Sequence, residues 1–320
     1  MGRIAKNNLA SLAVAAMLAM GGPVLAAPAA QPEPARAELL RRAQAGEVQA
    51  YDLLANSYLN AKGDLHDVGA AVRWLQAGVK AGDTTCMIDL GNLYYEGDAL
   101  DQDEGKALSL YKAAAAKGDA LGAYNAGLIY ETSVEDISQA LGWYWRAAAG
   151  GDEGGMYKIA LAYQLGRGVT PDEAQAVTWM RKAASAGSAD ALNDLGSYYA
   201  EGYGVPADPV RALELYRAAA EQGSAVAMAN LAAAYHDGAG VPVDFEQALI
   251  WYARAAQSGD LTAYYDLAQM YEDGEGVKAS RAKAVQLYRV AAECDDDEVA
   301  DAAEDAVERL EDGSSETPIA

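Results

Sequence analysis

Between Gly46 and Cys294 one pattern recurs seven times. Gly46, Gly82, Gly118, Gly151, Gly187, Gly223 and Gly259 open the copies, at spacings of 36, 36, 33, 36, 36 and 36 residues. A period in this range constrains the fold more than any other feature, because one copy cannot bury its own apolar face and must stack on its neighbours as a solenoid. A stack of that kind offers a long continuous surface, so binding is the first function it suggests.

Copy five, residues 187–222, shows the unit most clearly. Ala191, Leu195, Gly196 and Tyr199 share one helical stripe, and Ala212, Leu215, Tyr216 and Ala219 share another. Gly202-Tyr203-Gly204-Val205-Pro206 separates them as a turn that neither helix continues through. Each copy is therefore expected to be an antiparallel helical hairpin. First helices open on Glu47, Asp83, Asp119, Asp152, Ser188, Ser224 and Asp260, and second helices on Asp67, Asp103, Asp136, Asp172, Asp208, Asp244 and Ser280, all suited to cap free amides. Gln139, Gln175 and Gln247 are placed to complete reciprocal capping boxes. Small residues in register (Ala55, Gly91, Gly127, Ala160, Gly196, Ala232, Ala268) let a second helix approach closely, and Glu304 interrupts that column.

The ends differ in kind. Residues 1–26 carry Arg3 and Lys6, an apolar run from Leu9 to Met20 and a small-residue exit at Val24-Leu25-Ala26, which reads as a secretory signal peptide. Residues 27–34 read as a Pro/Ala linker, 35–45 as an N-terminal capping helix, 295–312 as a C-terminal capping helix and 313–320 as a disordered tail. The expected location is periplasmic or secreted, with no membrane insertion after cleavage. Without Arg3 and Lys6 the chain has 22 basic residues against 47 acidic, a formal charge of −25. That charge repels phosphate backbones and anionic lipid, so nucleic acid is not an expected partner.

Several columns together carry a resemblance. Leu195, Gly196 and Tyr199 give L-G-x-x-Y; Gly202, Gly204 and Val205 give G-x-G-V; Ala248, Leu249, Trp251 and Tyr252 give A-L-x-W-Y, followed by Ala255 and Ala256. The chain resembles the Sel-one-like repeat family, relatives of the tetratricopeptide repeat, over residues 46–294. Copy three departs by losing three residues and both turn glycines, and copy one lacks the G-x-G turn. The resemblance implies an all-α fold, a right-handed α/α superhelix of seven hairpins with terminal capping helices. It implies a non-enzymatic adaptor for protein complexes, with exported relatives in envelope signalling, exopolysaccharide regulation, assembly or host contact. One cysteine-rich branch implies a different function, penicillin-binding or β-lactamase-like. This chain has only Cys86 and Cys294, five copies apart, and lacks the paired cysteines of that branch.

Little in the sequence supports chemistry. His66 and His236 have no second histidine or cysteine at ligand spacing, so neither a zinc site nor any other metal is expected. Asp295, Asp296, Asp297 and Glu298 suit a helix amino end better than a calcium loop. The G-x-G turns lie between helices and do not follow a strand, unlike dinucleotide loops, and no cofactor is expected. No catalytic residue is assigned.

In helical-hairpin solenoids the first helix lines the concave face, and register selects its outward positions. They include Asn92, Tyr95, Glu96, Tyr124, Leu128, Glu131, Tyr157, Leu161, Asn193, Glu201, His236, Asp237, Tyr265, Glu272 and Asp273. No lysine or arginine stands among the selected positions. The expected ligand is a protein or peptide segment with apolar anchors for the tyrosines and leucines and basic flanks for the acids.

Overall fold

The computed structural model describes residues 33–61 and 63–312. The expected signal peptide, most of the linker and the tail lie outside these residues. Among the described residues there are sixteen α-helices and no strand. Helix α1 (Glu33–Gln44) is followed by seven hairpins: α2 (Gln49–Leu59) with α3 (Val68–Ala81), α4 (Thr84–Glu96) with α5 (Glu104–Ala116), α6 (Ala120–Thr132) with α7 (Ile137–Ala149), and α8 (Glu153–Leu165) with α9 (Glu173–Ala186). The series continues through α10 (Ala189–Glu201) with α11 (Pro209–Glu221), α12 (Ala225–Asp237) with α13 (Phe245–Gln257), and α14 (Thr262–Asp273) with α15 (Arg281–Ala291), and α16 (Asp297–Glu311) follows. Each helix packs on the next in sequence, which is the contact pattern of a solenoid. Like helices approach one another along the even-numbered row, at α2–α4, α4–α6 and α14–α16, so first helices lie on the inner side of the stack.

Capping fixes where each helix starts. Asp83, Asp119, Asp152, Ser188 and Ser224 accept the amide three residues on at 2.7–3.3 Å. Asp260 accepts from the amides of Thr262 and Ala263. All seven predicted caps of the second helices do the same at 2.8–3.4 Å. Each such bond contributes on the order of 1 kcal/mol. Glu47 is the exception: its carboxylate pairs with Arg42, and α2 begins behind Val48 without a side-chain cap.

The reciprocal glutamine bonds do not form. The amides they would satisfy, on Asp136, Asp172 and Asp244, instead donate to the carbonyls of Tyr130, Tyr163 and Tyr235 at 2.8–3.0 Å. Asp103, Asp208 and Ser280 make the same bond to Tyr94, Tyr199 and Tyr271. This tyrosine stands twelve residues past the opening glycine in every copy, so one backbone bond closes each of these hairpins at the same point.

Close packing inside a hairpin explains the small-residue column. A Cβ added to Gly91, Gly127 or Gly196 would lie 2.5, 2.6 or 2.7 Å from the ring of Tyr111, Tyr144 or Tyr216 on the paired second helix. Copies one and four carry alanine in this column opposite Leu75 and Met180, whereas copies six and seven carry Ala232 and Ala268 opposite Tyr252 and Tyr288. In copies two, three and five glycine gives up helix propensity and the ring lies directly against the backbone. Glu304 in α16 is exposed, and Ala303, Ala306 and Leu310 make that helix's buried face.

In copies four to seven the G-x-G turn attaches the copy to the one before. A Cβ at Gly240 would sit 2.4 Å from the Pro209 carbonyl oxygen, so the turn of copy six rests on the first turn of α11. Copy three has no such turn, and its shorter loop places Glu135 at φ 55, the left-handed region that non-glycine residues seldom occupy. Cys86 is buried and Cys294 half-buried, and both are free thiols. No described helix is long and apolar enough to cross a membrane.

Candidate protein-binding face

Charge is segregated between the two rows of helices. The seven first helices carry twelve Asp and Glu and one basic residue, Lys158; the seven second helices carry thirteen Lys and Arg and five Glu. Many outer cations lie over aromatic rings, as Arg146 over Trp143 at 4.4 Å, Lys182 over Trp179 at 3.6 Å and Arg254 over Trp251 at 4.6 Å. The tryptophans of the second helices therefore serve packing and charge placement on the outer row.

Lys158 corrects the expectation of an inner face without a basic group. It stands seven residues past Gly151, and the corresponding residues in the other copies are Leu53, Asp89, Asn125, Asp194, Asn230 and Asp266. Apart from the exposed Leu53 this column is half-buried, and it is not among the selected outward positions. Its signal in sequence is a polar residue recurring in six of seven copies beside the leucine stripe.

The column ties copies together. Asn56 donates to Asp52 at 2.6 Å and to Asp89 at 3.3 Å; Tyr157 donates to Asp194 at 2.8 Å; Asn230 donates to Asn193 at 2.8 Å. Lys158 pairs with Glu131 at 2.9 Å, and the Tyr144 hydroxyl donates to the same carboxylate. Burial works against the charge on Glu131, but these two donors outweigh it and hold the carboxyl below its usual range. Asp89 has no cation beside it. Burial, then its hydrogen bond to Asp52, push it up to about 6. Burial, then Asp260, push Asp266 up to about 6 as well.

The structure divides the predicted site residues into two groups. Tyr95, Glu96, Glu201, Asp237 and Asp273 are exposed, and Tyr124, Leu128, Leu161 and Tyr265 are half-buried with part of each side chain open. The others are engaged within the protein. Asn193 is buried in the amide ladder, and Asn92 accepts from Tyr111 at 2.7 Å. Glu272 accepts from Tyr288 at 3.0 Å and from Arg309 of α16 at 2.6 and 3.0 Å. His236 lies between Asp237 at 2.7 Å and Glu275 at 2.8 Å, and the Asp237 bond foremost raises its pKa. The second-helix tyrosines Tyr111, Tyr144, Tyr216 and Tyr288 send their hydroxyls to this face although their rings are core. Among the described residues, no group of three or more His, Cys, Asp or Glu is arranged to hold a metal ion.

The family model for the Sel1 repeat matches residues 48–83, 84–119, 120–152, 154–188, 189–224, 225–260 and 261–296. The chain belongs to the Sel1 repeat family. No curated protein matches it. Among solved structures, this Sel1 repeat chain is similar to a protective antigen present in uropathogenic Escherichia coli strains, which displays an SLR fold. That likeness has 28% identity and a TM-score of 0.72, over 88% of this chain and 60% of the antigen. It is also similar to a Sel1 repeat protein from Oxalobacter formigenes, at 28% identity and TM-score 0.66, over 80% of this chain and 98% of that one. Yeast Tom70, at 15% identity and TM-score 0.52, shares the fold alone. The Sel1 repeat chain thus spans less than two thirds of the antigen's length. Sel1 repeat proteins are scaffolds that typically mediate protein–protein interaction and are generally non-enzymatic. The per-repeat disulfide of the cysteine-rich branch has no counterpart here, since both cysteines are free.

Proposed function

We propose that this Sel1 repeat protein is an exported, non-enzymatic adaptor whose first-helix face holds a protein segment with apolar anchors and basic flanks. One observation carries the reading: twelve carboxylates against a single lysine on the inner row, interrupted in the middle copies by the half-open Tyr124, Leu128 and Leu161. Apolar and aromatic side chains supply contact area, and the surrounding acids select cationic neighbours and speed encounter. The family's scaffold role and the signal peptide expected at residues 1–26 support an envelope signalling, exopolysaccharide or assembly complex as the setting.

Crosslinked purification of the chain from its own envelope, followed by mass spectrometry, tests the adaptor role. A partner recovered with the native chain and lost with the Tyr124→Ala/Tyr157→Ala double variant supports the face. Equal recovery with both refutes it. A second reading, contact with host proteins, draws support from the similarity to a protective antigen. Recovery of the chain from the culture medium favours that reading, and recovery from the periplasm alone favours the adaptor.

A further inference from the structure

Adjacent copies share a notch where the end of one first helix meets the turn of the next copy. Two positions define it: thirteen residues past one opening glycine and sixteen past the following one. Between copies four and five these are Gln164 and Tyr203. The Tyr203 ring packs 4.7 Å from Tyr198, whose hydroxyl donates to Gln164 at 2.9 Å, so aromatic side chains fill the space. Between copies six and seven they are His236 and Glu275, bonded at 2.8 Å, with Phe245 against the imidazole at 5.3 Å.

Between copies three and four the same positions are Glu131 and Arg167, and a partly enclosed cavity of about 80 Å³ remains. Ala140, Leu141 and Ala162 give it a buried apolar floor. Lys158 and Arg167 border it, and Lys158 is the only basic residue of the first-helix row. Glu131 already takes Lys158, and Arg167 is exposed; its charge acts on Glu131, but its side chain makes no hydrogen bond or ion pair among the described residues. The volume is about that of two to three waters, which a short aliphatic side chain fills. An unpaired guanidinium beside an apolar pocket recognises a carboxylate in two-point geometry.

Resting on the reading of this face as a protein-binding surface, we propose that the notch between copies three and four is its anchor pocket. It takes an aliphatic side chain of the partner directly beside an Asp, a Glu or a chain-terminal carboxylate. The partner's basic flank then runs toward copies five to seven, where the first helices carry Asp190, Asp194, Glu201, Asp237, Asp266 and Asp273 without a lysine or arginine. The face is thus polar along its length: a cationic lip in the middle and an acidic run toward the C-terminal end.

A random twelve-residue peptide library displayed on phage tests this, selected separately on the full native chain, on Arg167→Glu and on Tyr124→Ala/Tyr157→Ala. Arg167 is an exposed turn residue, so its replacement leaves the hairpin core in place. The expected result on the native chain is enrichment of Leu, Ile or Val next to Asp or Glu, followed by Lys or Arg. On Arg167→Glu the acidic neighbour gives way to a basic one, and synthetic peptides from the first selection bind at least tenfold more weakly by fluorescence anisotropy. Basic peptides that bind Arg167→Glu and the native chain equally overturn the anchor pocket and leave the binding face standing. Peptides that bind the tyrosine variant as well as the native chain, or no enrichment at all, overturn the face and the pocket together.

Discussion

Asp266 is a carboxylate that the stack holds at a cost, and replacing it with asparagine should make the protein more stable in a pH-dependent way. Its surroundings supply Asp260 and Asp237 as like charges and only His236 as an opposing one, and burial is the largest cause of its shift. The folded chain keeps the proton up to about pH 6, whereas an unfolded aspartate releases it near 3.9. Between those values the folded state binds more protons, so the carboxyl's penalty grows as pH rises from 4 to 6 and is constant above. At 1.36 kcal/mol per pH unit the full penalty is about 3 kcal/mol at pH 7.5 and about 1 kcal/mol at pH 4.5. Copies three and six already carry Asn125 and Asn230 at the corresponding position, so the amide suits the site. Denaturant unfolding followed by far-UV circular dichroism, on native chain and Asp266→Asn at both pH values, should show the variant's advantage larger by about 2 kcal/mol at pH 7.5. An advantage that is equal at the two pH values, or a variant less stable at pH 7.5, refutes the reasoning.

Other substitutions probe packing and the notch residues. Gly127→Ala places a methyl carbon 2.6 Å from the Tyr144 ring; it should destabilise by about 1–3 kcal/mol through overpacking, visible as an earlier unfolding midpoint. Glu135→Gly removes a side chain from a left-handed backbone position and should stabilise by up to about 1 kcal/mol in the same assay. His236 should titrate above 6.5 by NMR, because protonation lets both ring nitrogens donate, to Asp237 and Glu275. Its raised folded-state pKa gives stability that is present below pH 6.5 and lost as pH rises through the folded value, and His236→Gln should abolish that loss.

The repeat and its helix starts were legible because they rest on local rules: a fixed period, oxygen side chains at helix starts, and glycines where a left-handed turn or a near ring requires them. The expected stacking fold follows, and the family match over all seven copies agrees with it. The reciprocal capping bonds do not form because each of those cap amides has another partner, a tyrosine carbonyl in the first helix of its own hairpin, which the three-residue spacing of a capping box does not consider. The polar column through Asp89, Lys158, Asp194 and Asp266 escaped for a geometric reason. It lies where the outward stripe meets the core stripe, so a fixed set of five outward positions passes beside it. The inner-face hydroxyls of Tyr111, Tyr144, Tyr216 and Tyr288 belong to second helices and reach across the hairpin only because the facing column is glycine or alanine. Register selected Asn193 and Glu272 as outward positions, but Asn193 is buried and both spend their polar atoms on partners within the chain.

The central claim is that the first-helix row is the face that engages a partner. Photocrosslinking amino acids placed singly at Tyr95 and Leu128 on that row, and at Trp145 and Ile250 on the second helices, test it in living cells. Adducts to a partner from Tyr95 and Leu128 but not from Trp145 and Ile250 are the predicted result; adducts from the second-helix positions alone contradict it.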